Sequence, residues 1–121
     1  MKFLVIDDDA DIRELLKVFL SSDGNDVVLC DCGKDVINTV REEQFSLVLL
    51  DIMLPDISGI DLLKQIRNVD RRLPVIIITG VKDAQKVVAA FHEGACDCIL
   101  KPLDFEYLKT SIFNHARRKI L

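Results

Sequence analysis

Acidic side chains in this sequence gather where a folded chain can use them together. Asp7, Asp8 and Asp9 stand in a row directly after a short apolar run, and Asp51 closes another, Leu47-Val48-Leu49-Leu50. Carboxylates held close together repel, which raises a pKa or requires a counter-charge, and a hard divalent cation with oxygen ligands meets that need. Mg2+ is the expected ion, because an incomplete carboxylate set leaves coordination positions for water and a phosphoryl oxygen. Thr79 ends the run Val75-Ile76-Ile77-Ile78, and its hydroxyl can bond to an anion seated on Asp51. Lys101, followed by Pro102, supplies a point charge suited to phosphate. A Lys-Pro bond is also one where the cis form costs little and would aim the lysine inward. Three carboxylates, a hydroxyl and an ammonium around a hard cation suit phosphoryl transfer to a carboxylate, giving an acyl phosphate. Asp51 is the expected nucleophile, since it lies between the acidic pair and the Thr79/Lys101 pair, and the cation and Lys101 would neutralise the phosphoryl oxygens.

A simpler account gives these residues local duties. Asp9 or Asp11 is expected to cap the following helix, which explains one aspartate but not the cluster. A carboxylate such as Asp51, at the end of a run read as a central strand, is costly to bury without a partner. Thr79 alone is an ordinary strand residue and Lys101 alone an ordinary surface charge. Their joint placement at successive strand ends distinguishes them.

The elements that must position these groups alternate along the whole chain. Apolar, β-branched runs at residues 2–6, 26–30, 46–50, 74–79 and 97–100 read as strands, and several are apolar throughout, as strands covered on both faces are. Between them lie helical stripes: Ile12, Leu15, Leu16 and Phe19; Val36, Ile37 and Val40; Ile60, Leu63 and Ile66. The third is preceded by Ser58, with Asp61 as a variant capping box. A fourth helix, capped by Asp83, carries Val87, Val88 and Phe91. The fifth begins near Asp104, carries Leu108, Ile112 and Phe113, and ends in Arg117, Arg118 and Lys119, cations that favour the negative end of the helix dipole. Five consecutive strand-helix units imply an α/β fold, a doubly wound five-stranded parallel sheet with right-handed crossovers and five helices. The common order for five strands is the flavodoxin-like 2-1-3-4-5, whose crevice opens at the carboxyl ends of strands one and three.

The 121 residues suit one domain, spanning 1–121, and 50% hydrophobic with 30% charged residues argues for a packed fold rather than disorder. A net charge of −4 gives no global pull toward nucleic acid or anionic membrane, so neither is expected as a direct partner. The apolar start is too short for a signal peptide or membrane span, which makes a cytoplasmic location the expectation. Four cysteines form two Cys-x-Cys pairs, Cys30/Cys32 and Cys96/Cys98. Zinc is weighed and set aside, since the spacing is unusual and the pairs fall on or beside opposite edge strands, beyond one metal's reach. They are expected to be core or loop thiols.

The sequence resembles the receiver domains of two-component response regulators over essentially its whole length. The likeness is carried by Val5-Ile6-Asp7-Asp8-Asp9, by Leu49-Leu50-Asp51-Ile52-Met53-Leu54-Pro55 with Ser58-Gly59 beyond, by Ile78-Thr79-Gly80, and by Gly94-Ala95-Cys96-Asp97 leading to Lys101-Pro102. The resemblance implies that Asp7 and Asp8 hold Mg2+, with Asp51 both ligand and phosphorylation site and the Met53 carbonyl completing the protein's share. It implies that Thr79 and Lys101 bind the phosphoryl group, which a histidine kinase or phosphotransfer protein supplies. It implies a signalling domain rather than an enzyme, with a possible homodimer through the face of helix four, strand five and helix five. An output domain outside this chain is compatible with it, as is a stand-alone regulator.

The sequence departs from the family at Cys98, where Tyr or Phe is usual three residues before the lysine. The aromatic half of the usual relay is then missing, leaving Thr79 and the loop after it to carry the signal. Met53 and Val81, two residues beyond Asp51 and Thr79, occupy positions that tune attack of water on the phosphoryl group in this family. Both are apolar, which predicts a comparatively long-lived phospho-form. Three alternatives stand beside this reading. A degenerate receiver acting as a docking module follows from Cys98. A Mg2+-dependent phosphatase of the haloacid dehalogenase type needs an acid two residues after its nucleophile, where this chain has Met53. A flavodoxin-type flavin module needs a Ser/Thr/Gly-rich phosphate loop where this chain has three aspartates.

Overall fold

Runs of Val, Ile and Leu that have no polar face must be covered on both sides, and the chain does this with one parallel sheet between two helical layers. The computed structural model describes residues 1–80 and 82–120, the last three by backbone alone. The strands are β1 (Lys2–Ile6), β2 (Asp26–Cys30), β3 (Leu47–Leu50), β4 (Val75–Thr79) and β5 (Asp97–Leu100). The helices are α1 (Ala10–Ser21), α2 (Val36–Glu42), α3 (Gly59–Val69), α4 (Ala84–His92) and α5 (Phe105–Ile120). All strand pairs are parallel and the sheet order is β2-β1-β3-β4-β5, as expected from the alternation. Two strands start one residue later than expected, although Ser46 still donates to the Lys2 carbonyl and the Pro74 carbonyl still accepts from Val48.

Alternate residues of each strand feed two separate cores. Leu4, Ile6, Val48, Leu50, Val75 and Ile77 pack under α2, α3 and α4 with Val36, Leu62, Leu63 and Ile66. Phe3, Val5, Leu47, Leu49, Ile76, Ile78 and Ile99 pack under α1 and α5 with Leu16, Leu20, Leu108 and Ile112. The register brings Ile6 beside Leu50, Leu50 beside Ile77 and Thr79 beside Leu100, so β1 and β3 finish level with each other while β4 and β5 run two residues further at the same edge of the sheet.

Capping residues set the entry of four helices, while α2 starts without a side-chain cap. Asp9 accepts from the amides of Asp11 and Ile12, Asp83 from Gln85, and Asp104 from Glu106 and Tyr107. Ser58 caps α3 through the Ile60 amide, but Asp61 faces Lys64 at 4.0 Å, so only half of the expected box forms.

Four expected stripe residues differ. Leu15 is 52% exposed and Leu20 takes its place beneath α1, because a one-residue step turns the side chain about 100° around the helix. On α4 the deeply buried residue is Ala90, whose small side chain lets the helix lie close, while Val88 and Phe91 face outward. Phe113 of α5 also faces outward, with Arg117 5.0 Å above its ring; the side chains of Arg118 and Lys119 lie outside the described residues. Arg67 at the end of α3 donates to the carbonyls of Asp70, Leu73 and Gly94, joining the α3–β4 and α4–β5 turns. The cysteines are free and partly buried, with Cys30 and Cys98 on the two edge strands. No described helix is long and apolar enough to cross a membrane.

Candidate functional site

Four neighbouring parallel strands ending at the same edge of the sheet bring together residues that are far apart in the chain. Asp7 follows β1, Asp51 follows β3, Thr79 ends β4 and Lys101 follows β5. The ladder extends just far enough to hold them: the Asp7 amide donates to the Cys30 carbonyl, the Asp51 amide to the Ile6 carbonyl, and the Lys101 amide to the Thr79 carbonyl. Asp7 and Thr79 are fully buried and Asp51 is 4% exposed, whereas Asp8 faces solvent. Carboxylate oxygens of Asp7, Asp8 and Asp51 lie within 4.8 Å of one another.

Lys101 bridges the two buried acids. Its Nζ lies 2.8 Å from Asp7 Oδ2 and donates to Asp51 Oδ2 at 3.0 Å. The Asp7 contact is an ion pair without hydrogen-bond angles, which leaves the buried Asp7 Oδ2 lacking a hydrogen-bond donor. The Lys101–Pro102 bond is cis. The other oxygens are held by main-chain amides, Asp7 Oδ1 by Asp9 at 2.9 Å and Asp51 Oδ1 by Met53 at 3.0 Å.

The electrostatics follow from burial and charge. Burial pushes the Asp7 carboxyl above its ordinary 3.8, aided by the Asp51 charge, while the Lys101 ammonium and the Asp9 amide pull it back. Burial alone would depress Lys101, but its contacts with Asp7 and Asp51 outweigh that and raise it above 10.5, keeping the ammonium charged. One ammonium therefore faces three carboxylates. That deficit of positive charge and an all-oxygen donor set fit a small divalent cation. An octahedral ion with ligands at about 2.1 Å spans oxygen pairs up to about 4.2 Å apart, close to the separation here. Among the described residues no other group of three or more His, Cys, Asp or Glu brings its ligand atoms this close together.

Comparison with known proteins decides what this pocket belongs to. The family model for the response regulator receiver domain matches residues 3–113. The chain belongs to the response regulator receiver domain family. It is 36% identical over 109 residues to the transcriptional regulatory protein ZraR of Escherichia coli K12, covering 90% of this chain and 25% of that protein. It is 36% identical over 117 residues to the DNA-binding response regulator MtrA of Mycolicibacterium paratuberculosis, covering 97% of this chain and 52% of that protein. The receiver thus spans between a quarter and about half the length of these relatives. A CheY-like receiver domain from Methanospirillum hungatei JF-1 superposes with a TM-score of 0.93 at 27% identity, covering 98% of this chain and 95% of that one.

Every expected site residue of the receiver except one lies in or beside this pocket by a described contact. The exception is Thr79, which strand register places at the end of β4 beside Leu100, next to Lys101. Met53 borders the pocket through its amide, while its side chain is 53% exposed and meets Lys86 Nζ at 3.9 Å from Sδ. Val81 lies outside the described residues. Two supporting roles are added by the structure, that of Gly59, which the sequence marked only as part of a motif, and that of Arg13. Gly59 packs so tightly that a Cβ there would lie 2.3 Å from the Asp51 carbonyl oxygen, and its amide donates to Ile52 at 2.7 Å. Arg13 reaches back from α1 and donates to the Asp7 carbonyl at 2.7 Å. The Ser-Gly pair before a helical stripe was a signal for the first; an arginine in an exposed-looking first turn gave none for the second.

Proposed function

We propose that this receiver domain, residues 1–121, accepts a phosphoryl group on Asp51 from a histidine kinase or phosphotransfer protein in a Mg2+-dependent reaction. The observation that carries the proposal is the Lys101 bridge between Asp7 and Asp51 in a pocket with more carboxylates than cations. Asp7, Asp8, Asp51 and the Met53 carbonyl would hold the ion, which supplies charge neutralisation for the phosphoryl oxygens when bound. A carboxylate oxygen of Asp51 attacks phosphorus, a P–O bond forms, and the donor's P–N bond breaks with its electrons leaving on the imidazole. Lys101 exchanges part of its contact with Asp51 for one with the phosphoryl group, and the Thr79 hydroxyl donates to another oxygen. No multiple turnover of a substrate is involved, so the domain acts as a switch rather than an enzyme.

The readout would run through Thr79 and the loop after it to the face of α4, β5 and α5. The exposed side chains Phe91 of α4, Leu100 of β5 and Tyr107 of α5 are apolar surface of the kind a homodimer or an output domain covers. Cys98 stands on β5 against the α2–α4 core in place of the usual aromatic, so this relay works without a ring movement. A pathway of this kind is cytosolic, and no direct contact with nucleic acid or membrane is assigned to this domain. The docking-module alternative draws on Cys98 alone, while the pocket retains its full charge set. Incubation with Mg2+ and acetyl phosphate, followed by intact-protein mass, tests the proposal: one phosphoryl adduct on the wild type and none on Asp51→Asn. An adduct that persists in Asp51→Asn overturns the choice of nucleophile.

A further inference from the structure

Asp7 is the last residue of its strand to be held by the ladder, and its own carbonyl has no strand partner beyond it. The Asp51 amide takes the Ile6 carbonyl, and nothing in the sheet reaches the next one. A buried carbonyl left in that position needs a donor. Arg13 supplies it. From the first turn of α1, its Nη1 donates to the Asp7 oxygen at 2.7 Å, a charge-assisted bond across the turn formed by residues 7–9.

Asp7 is therefore gripped at three points: its amide by Cys30, its Oδ1 by the Asp9 amide, and its carbonyl by Arg13. The third matters most for its neighbour. The carbonyl belongs to the peptide plane joining Asp7 to Asp8, and the tilt of that plane sets where the Asp8 side chain leaves the backbone. Asp8 is exposed, yet its carboxylate is one of three that lie within 4.8 Å of one another.

We infer that Arg13 is a positioning residue that fixes the Asp7–Asp8 peptide plane and so delivers the Asp8 carboxylate to the cation pocket. The inference rests on the pocket's being a divalent-cation site, as proposed above. Two effects of the guanidinium oppose each other, and this makes the role testable. As a nearby positive charge, Arg13 disfavours a bound cation, so its removal on electrostatic grounds alone tightens binding. As an anchor for the peptide plane, it favours the cation, and its removal loosens binding.

The experiment compares wild type, Arg13→Met and Arg13→Lys in two measurements. Lysine keeps a charged donor near the carbonyl, and methionine keeps only the apolar stem. Mg2+ titration by calorimetry is expected to show affinity about tenfold weaker in Arg13→Met and restored to within about threefold in Arg13→Lys. Affinity unchanged or tighter in Arg13→Met overturns the inference. Hydrogen exchange without metal is expected to show the Asp9 amide, which rests on Asp7 Oδ1, exchanging about tenfold faster in Arg13→Met. The amides of Leu49 and Ile77 at the sheet centre should keep their wild-type rates. Equal Asp9 exchange in both proteins, or faster exchange throughout the sheet, refutes a positioning role. If wild type itself binds no Mg2+, the cation reading fails, and the Asp9 exchange still judges Arg13.

Discussion

Replacing Lys101 with Met should make the apo protein markedly less stable and Mg2+ markedly more stabilising. The ammonium sits 2.8 and 3.0 Å from two carboxylates that are 0% and 6% exposed, while its own side chain is 20% exposed. At an effective dielectric near 20 each contact is worth about 5 to 6 kcal/mol gross, mostly offset by the cost of desolvating the three groups. Removing one partner of a buried pair typically costs about 3 to 5 kcal/mol. Partial exposure of Lys101 softens that. A net loss of about 2 to 3 kcal/mol remains, which for a domain of this size lowers the melting temperature by about 6 to 12 °C. Thermal unfolding followed by circular dichroism in EDTA reads this loss. In saturating Mg2+ the variant should recover more stability than wild type gains, because the unrelieved acids bind the ion more tightly. Equal melting temperatures in EDTA, or equal shifts on adding Mg2+, would refute the claim that Lys101 holds the acids together.

Gly59→Ala should destabilise by about 2 kcal/mol or more in urea unfolding, although alanine is the better helix former, because its Cβ would collide with the Asp51 backbone. Asp97 accepts from Tyr107 Oη at 2.8 Å, Ser111 Oγ at 2.6 Å and the Cys98 amide at 2.8 Å. Asp97→Ala strands the buried Ser111 hydroxyl and should cost about 2 kcal/mol, read by the same unfolding curve. Burial pushes the Cys96 thiol up to about 11 from 9.0, so at pH 8 iodoacetamide should alkylate it about a hundredfold more slowly than a free cysteine thiol. The sign follows from the raised value: its contribution to stability is complete below pH 9 and is lost as pH rises toward about 11. Phospho-Asp51 should hydrolyse faster when Met53 is replaced by Asn and Val81 by Glu, followed by loss of adduct mass; an unchanged half-life refutes apolar protection from water.

The strands were legible because a doubly covered parallel strand is apolar at every position, a pattern that Val75-Ile76-Ile77-Ile78 states without ambiguity. The pocket was legible because it needs acids, a hydroxyl and a lysine at consecutive strand ends, and residue type alone marks those. Side-chain direction on helices was less so. Leu15 and Leu16 are alike in composition, and only the docking of α1 decides which is covered. Arg67 looked like surface charge, yet it serves three main-chain carbonyls that secondary structure leaves unpaired. Arg13 was hidden for the same reason, since main-chain oxygens carry no residue identity and a side chain that serves them shows no partner in the sequence.

The alternation of the strands between two cores divides the pocket. Counting back two residues, Asp7, Asp51 and Lys101 stand over Val5, Leu49 and Ile99 of the α1/α5 layer, whereas Thr79 stands over Ile77 of the α2–α4 layer. Charge handling and hydroxyl placement thus rest on different foundations. Under the proposed function, repacking beneath α3 and α4 would retune how Thr79 answers an occupied pocket while the acid–lysine trio keeps its spacing. Chemistry and communication are in this way free to vary separately within one small sheet.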